Sequence, residues 1–183
     1  MITAVFGQNN SGKSKFAQKL ASGLAENRYY LATMRILSDA DKEKAEGCKK
    51  NREDGEFITI EQDVAIVKAI DKIKWMETLL GKKEGKRVLL LDSIPYLVSN
   101  EMFLDNGETV PHKDVESTIL CGIALLKEFF DDIVIVSDEN PELSYYRRFD
   151  VTDNDEVAEY LEAMKELNAA FTSLSDEVYR APF

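Results

Sequence analysis

The chain has 183 residues, 44% of them hydrophobic and 31% charged, which suits one sizeable domain with a buried core and is cramped for two. No run approaches the roughly 18 consecutive apolar residues of a membrane helix, and the amino terminus lacks the basic start and long apolar region of a secretory signal, so a cytoplasmic protein is expected. Lys and Arg number 23 against 34 Asp and Glu, and the net charge of −11 argues against nucleic acid or an anionic membrane as a partner. The single histidine, His112, excludes sites built from several imidazoles, and two cysteines, Cys48 and Cys121, make neither a metal motif nor a disulfide framework.

In chain order, Ile2 to Phe6 reads as a strand ending at Gly7, and Lys15 to Glu26 carries Phe16, Ala17, Leu20, Ala21 and Leu24 at helical spacing. Tyr29 to Thr33 reads as a second strand, with its tyrosines there for packing. Asp39 to Asn51 is a charged helix or loop, and Phe57 to Ile60 a third strand. Asp63 to Leu80 has the apolar stripe of an amphipathic helix, on which Trp75 reads as core or interface. The turn Gly81 to Arg87 leads to Val88-Leu-Leu-Leu-Asp92, an apolar run ending in an acid, which suits a buried parallel strand with a functional carboxylate at its end. Pro95 stops that strand, and Ser99 to His112 reads as a polar loop with His112 on the surface. A helix over Asp114 to Phe130, a strand over Ile133 to Ser137, a long helix over Asp155 to Leu174 and a last strand over Glu177 to Tyr179 complete the chain. Strands alternating with helices predict an α/β fold: a mostly parallel sheet with helices on both faces and ligands at the carboxyl ends of the strands.

Between the first strand and the first helix stands Gly7-Gln8-Asn9-Asn10-Ser11-Gly12-Lys13-Ser14, a match to G-x-x-x-x-G-K-[ST] at every fixed position. In such a loop the glycines let backbone N–H groups and a helix amino terminus close around phosphate oxygens. This local device offsets the acidic surface. Lys13 then reaches the β- and γ-phosphates as the main catalytic cation, and Ser14 ligates Mg²⁺. Asp92 suits the second magnesium-side carboxylate or a base for a substrate hydroxyl. The residues thus predict a single P-loop NTPase-like nucleotide-binding domain over 1–183 that takes Mg²⁺ with a nucleoside triphosphate, ATP or GTP, and leave the acceptor open.

Beyond Gly7 to Ser14, the chain carries Tyr30-Leu-Ala-Thr33-Met-Arg-Ile-Leu37, Arg52, Phe57-Ile-Thr-Ile-Glu61, Leu89-Leu-Leu-Asp92-Ser, Val134-Ile-Val-Ser-Asp-Glu139, Leu167-Asn168 and Asp176-Glu-Val-Tyr179. In these residues and their order it resembles the bifunctional adenosylcobinamide kinase / adenosylcobinamide-phosphate guanylyltransferase family of cobalamin biosynthesis. The resemblance implies a kinase that phosphorylates the aminopropanol hydroxyl of adenosylcobinamide and then transfers GMP through a guanylylated histidine. It also implies nucleotide contacts from Thr33, Met34, Arg35, Lys49, Lys50, Asn51 and Arg52, binding roles for Glu61 and Asp92, a corrinoid acceptor, and a homo-oligomer, with a trimer as the family's form. The family's guanylylated histidine falls on Cys48, its glycine-rich loop is replaced by Asn140 to Arg148, and Asp138 stands where the family has Asn. Those departures strike the guanylyl-transfer half, which is expected to be lost or weak. A non-catalytic nucleotide-binding paralogue and a kinase for an unrelated small hydroxyl stay open. Arg147 and Arg148, and the basic cluster Lys42, Lys44, Lys49, Lys50 and Arg52, read as solvated charge or phosphate contacts.

Overall fold

Runs such as Val88-Leu-Leu-Leu91 are apolar at every position because both faces of their strand are covered. Leu89 and Leu91 enter one hydrophobic cluster while Val88 and Leu90 enter the other, and Ile133 and Ile135 alternate with Val134 and Val136 in the same way. A computed structural model describes residues 1–36, 38, 39, 42, 43, 57–81, 84–142 and 155–182. The order is β1 (Ile2–Gly7), α1 (Lys13–Leu24), β2 (Asn27–Ala32), β3 (Ile58–Glu61), a 3₁₀ turn (Ile66–Lys68), α2 (Ala69–Leu80), β4 (Arg87–Asp92), α3 (Ile94–Met102), α4 (His112–Phe129), β5 (Asp132–Asp138), α5 (Asp155–Leu174) and β6 (Glu177–Arg180).

The strands form one sheet in the order β3-β2-β4-β5-β1-β6, and every pairing is parallel. Residues of α2 to α5 pack on one face, around Ile73, Leu97, Ile119 and Leu167; Ala17 and Ala21 of α1 pack on the other. All the strands therefore end at the same edge. Register brings Gly7 level with Asp138, Asp92 level with Val136, and Ala32 level with Asp92.

Three expectations are corrected. The helix expected from Asp63 begins at Ala69, because Ala65 takes left-handed angles (φ 48°) and Gln62 Nε2 donates to Val64 O within the preceding turn. The expected loop from Ser99 opens inside α3, where Pro95 sits in the first turn and costs no helix hydrogen bond. The rest of that segment closes as a tight reversal, with Val110 N donating to Met102 O, and His112 starts α4 instead of lying in a loop. Of the two places expected for Trp75, core or interface, only the core is excluded: 65% of it is exposed on α2, beside exposed Leu79. Tyr29 and Tyr30 are buried as expected.

Helix α4 packs so closely on the 3₁₀ turn that a Cβ at Gly122 would lie 2.7 Å from Ile66 Cγ1. Gly122→Val is expected to lower stability by about 1–3 kcal/mol through overpacking, and Ile66→Ala in the same chain to cost less than the sum of the two single changes. Urea unfolding of the three variants checks this, and strict additivity would remove the proposed contact.

Candidate functional site

The loop between β1 and α1 is built for an anion. Gly12 takes left-handed angles (φ 86°, ψ 2°) at the helix cap, and Asn10 is also left-handed (φ 62°), so the chain curls before entering the helix. No side chain caps α1 and no acid occupies its first turn. The first-turn N–H groups, with the positive end of the helix dipole, therefore have no side-chain acceptor capping them and are the kind of group a phosphate satisfies. A Cβ at Gly7 would lie 2.4 Å from Ser11 Oγ and 3.1 Å from the Ala181 methyl, so the loop closes on a residue without one. Ser11 Oγ is buried with no hydrogen-bond partner among the described residues, a second polar group that a bound anion could engage.

Lys13 opens α1, and its ammonium turns back over the loop, donating to Gln8 O at 3.1 Å. It also forms an ion pair with Asp138 Oδ1 at 2.7 Å, and both side chains are nearly buried, 10% and 5% exposed. Asp138 ends β5, the strand beside β1, and α5 fixes that end. Ser137 Oγ donates to Asn168 Oδ1 at 2.7 Å, and Asn168 Nδ2 donates to Asp138 O at 2.8 Å.

Asp92 ends β4, two strand steps from β1, about 10 Å along the edge at ~4.8 Å per step. Tyr30 donates its hydroxyl to Asp92 Oδ2 at 2.7 Å, orienting the carboxylate from the neighbouring strand. Thr33 is fully buried and ties β2 to β4: its Oγ1 donates to Ser93 O at 2.8 Å and accepts from Ser93 N at 2.9 Å. Asn100 of α3 reaches the same corner, donating to Thr33 O and to Asp63 O.

Met34 and Arg35 follow that corner. Arg35 Nε pairs with Asp63 at 2.5 Å and its Nη1 with Asp105 at 3.1 Å, so its charge is held between two carboxylates. Burial raises the Asp63 carboxyl, but the Arg35 hydrogen bond and charge, with backbone N–H groups, outweigh it and leave the group below its ordinary range. Glu61 ends edge strand β3, four steps from β1 or about 19 Å along the edge. Lys13, Ser14 and the loop are thus brought together with Asp138, with Asp92 near them, while Thr33 to Arg35 and Glu61 lie farther along the same edge. Lys44, Cys48, Lys49, Lys50, Asn51, Arg52, Arg147 and Arg148 lie outside the described residues.

Asp138, Tyr30 and Asn168 were not recognised as site residues from sequence, although Asp138 carries the signal that singled out Asp92: an apolar strand run ending in an acid. Beside it, Glu139, Asn140, Pro141, Glu142, Leu161 and Asn168 help line a cavity of about 620 Å³ between the end of β5 and α5. His112, at the start of α4, is engaged by acids of α5: its Nδ1 lies 2.8 Å from Glu159 Oε2, and its Nε2 lies 3.8 Å from Glu166 Oε2. Burial, then the hydrogen bond and charge of Glu166, push the nearby Glu116 carboxyl up. No group of three or more His, Cys, Asp or Glu among the described residues is placed to hold a metal. None of the described helices is long and apolar enough to cross a membrane.

An all-parallel sheet with a glycine-lined phosphate loop between its first strand and helix is the P-loop NTPase fold. The structure resembles a solved ATPase domain, with a TM-score of 0.55 at 11% identity over 98% of this chain and 68% of that one. It also resembles a prototypical ATPase from the type III secretion system of pathogenic bacteria, with a TM-score of 0.50 at 11% identity over 97% of this chain and 50% of that one. Identities this low speak for the fold alone. No curated protein sequence matches the chain. The chain belongs to the cobinamide kinase / cobinamide phosphate guanyltransferase family, whose model matches residues 3–181. It is therefore an enzyme of a cobalamin-biosynthesis family, on a fold suited to nucleotide-dependent phosphoryl transfer.

Two outcomes follow for the edge. Tyr30→Phe keeps the packing but removes the donor to Asp92, and is expected to cost about 1–2 kcal/mol in urea unfolding. Because the Asp63 carboxyl is depressed, its contribution to stability is present above the unfolded value near 3.8 and is lost as pH falls through the lower folded value. Asp63→Asn should therefore flatten the loss of stability below pH 3.8, measured as urea midpoints against pH; an unchanged slope would show that the pair carries no such linkage.

Proposed function

We propose that residues 1–183 form a single nucleotide-binding domain acting as a cytoplasmic, nucleoside-triphosphate-dependent kinase on the hydroxyl of a corrinoid acceptor, with the guanylyl-transfer step lost or severely weakened. The observation that carries the kinase half is Lys13, held over an uncapped helix amino terminus and next to an orphaned Ser11 hydroxyl. Gly7 to Ser14 bind the triphosphate of ATP or GTP, with the backbone N–H groups and Lys13 neutralising the charge that spreads over the migrating phosphoryl group.

Ser14 and Asp92 are the residues that would hold Mg²⁺, an ion that usually takes one or two protein oxygens and completes its shell with phosphate and water. When bound, it would neutralise part of the phosphate charge. Asp92, oriented by Tyr30, is better placed than Glu61 to align an acceptor hydroxyl near the loop. In the transfer, the acceptor oxygen bonds to the γ-phosphorus, the bond to the nucleoside diphosphate breaks, and the hydroxyl proton passes to a carboxylate or water. Glu61, Met34 and Arg35 serve the more distant part of the nucleotide or acceptor, with Lys49 to Arg52, while the fully buried Thr33 positions that corner through Ser93.

The guanylyl half needs a nitrogen nucleophile that attacks phosphorus and later leaves easily. Cys48 stands at the matched position and offers no ring nitrogen. His112 is occupied by Glu159 beside Glu166, carboxylates that repel an approaching triphosphate. The net charge of −11 argues against nucleic acid or an anionic membrane as a partner, and the family resemblance points to a homo-oligomer, with a trimer as the expected form.

Incubation with Mg²⁺, adenosylcobinamide and ATP or GTP should yield phosphorylated cobinamide without GDP-cobinamide, and intact-protein mass spectrometry should find no GMP adduct. An adduct would overturn the loss of transfer; no turnover on this acceptor would overturn the kinase reading. Lys13→Ala should lower turnover by about 10²–10³-fold, the scale of losing one charge-stabilising donor. It should also destabilise the fold by leaving Asp138 buried and unpaired, so Lys13→Ala with Asp138→Asn should regain stability and not turnover.

A further inference from the structure

A phosphate-loop lysine presents its ammonium to the β- and γ-phosphates. In this chain a carboxylate already stands on that ammonium. Asp138 Oδ1 lies 2.7 Å from Lys13 Nζ, and a second proton of the ammonium goes to Gln8 O at 3.1 Å. The carboxylate is not free to withdraw with its backbone, because the Gly7 and Asp138 register and the Asn168 bond to Asp138 O fix the end of β5. Lys13 is also the sole ion-pair partner of Asp138 among the described residues.

We infer that Asp138 sets the nucleotide affinity of the loop: its carboxylate is an internal anion competing with the β- and γ-phosphates for Lys13. This rests on reading Gly7 to Ser14 as a triphosphate site. A phosphate that claims Lys13 leaves Asp138 either without its counter-ion in a nearly buried place or sharing one ammonium with a second anion. Both arrangements raise the free energy of the complex, the first through loss of the paired charge and the second through like-charge repulsion. Without nucleotide the same carboxylate neutralises Lys13 and holds the loop in order. Asp138 therefore stabilises the empty site and weakens the filled one, which favours release of the nucleotide after transfer. The described cations nearest the adjoining cavity already face other carboxylates, Lys165 at 3.4 Å from Glu162 and Arg180 at 3.5 Å from Glu139, and neither pairs with Asp138.

The experiment measures, by isothermal titration calorimetry with Mg²⁺, the binding of the β,γ-imido analogues of ATP and GTP, and of AMP and GMP, to wild type, Asp138→Asn and Asp138→Ala. Thermal melts of the nucleotide-free proteins accompany it. Removing the charge should tighten an imido-triphosphate by about tenfold or more while lowering the melting temperature of the empty protein. The monophosphates should be unaffected, because only the β- and γ-phosphates reach Lys13. The alanine variant gives a second reading should the asparagine variant fail to fold. Equal or weaker triphosphate binding in the variants would overturn the inference and make Asp138 a residue that merely positions Lys13. Equal tightening of mono- and triphosphates would overturn it as a general loosening of the loop. If wild type binds triphosphate and the variants do not tighten, the inference alone falls; if no protein binds either triphosphate, the nucleotide reading falls with it.

Discussion

The buried ion pair between Lys13 and Asp138 is the contact on which the arrangement of the site depends. An ammonium as buried as that of Lys13 carries a desolvation penalty of several kcal/mol unless an anion and a hydrogen bond compensate it, and Asp138 and Gln8 O supply both. The pair joins the start of α1 to the end of β5, so the loop is braced across the sheet edge as well as by its own glycines. Asn168 extends the brace to α5, which packs on the opposite face of the sheet from α1. Three elements far apart in sequence thereby set the position of one side chain.

That bracing is possible because every strand runs in the same direction. A parallel sheet delivers all its carboxyl ends to one edge, and here Asp92, Asp138 and Glu61 each close a strand there. The edge is acidic, in keeping with the net charge of −11. Against it stand the uncapped N–H groups of α1 and the ammonium of Lys13, both concentrated at the loop. An anionic ligand is therefore drawn to one point of the edge and repelled along the rest of it. A divalent cation shared with the ligand would offset the remaining repulsion.

Much of this was legible in the residues. The apolar runs predicted β1, β4 and β5 to within a residue or two, because strands buried on both faces leave little room for polar side chains. The loop was legible because its chemistry demands glycine and lysine at set spacing. What escaped notice depends on distant pairing. Asp138 becomes a site residue only through the register that sets β5 beside β1, and Tyr30 touches Asp92 only because β2 lies beside β4. Local backbone choices were equally hidden: Ala65 takes left-handed angles although alanine favours helix, and the turn at Gln62 to Ala65 delays α2. Pro95 was read correctly as the end of a strand and was also the beginning of a helix, since its fixed φ serves both purposes.

On the proposed reading, the division of the family's two steps follows from where their residues sit. Phosphoryl transfer would draw on the loop, Lys13 and the strand-end carboxylates, all set by the sheet, and so could persist in a chain that has changed elsewhere. Guanylyl transfer needs one imidazole with an accessible nitrogen and room for a covalent intermediate. The only histidine is instead spent joining α4 to α5. His112 N and Nδ1 both approach Glu159 Oε2, and the histidine's hydrogen bonds hold the Glu159 carboxyl below its ordinary range. With Glu116 and Glu166 next to it, that imidazole is embedded in negative charge, the reverse of what a nucleophile for a triphosphate requires. On the proposed reading, the chain kept the step whose catalyst is the fold itself and gave up the step whose catalyst was a single side chain.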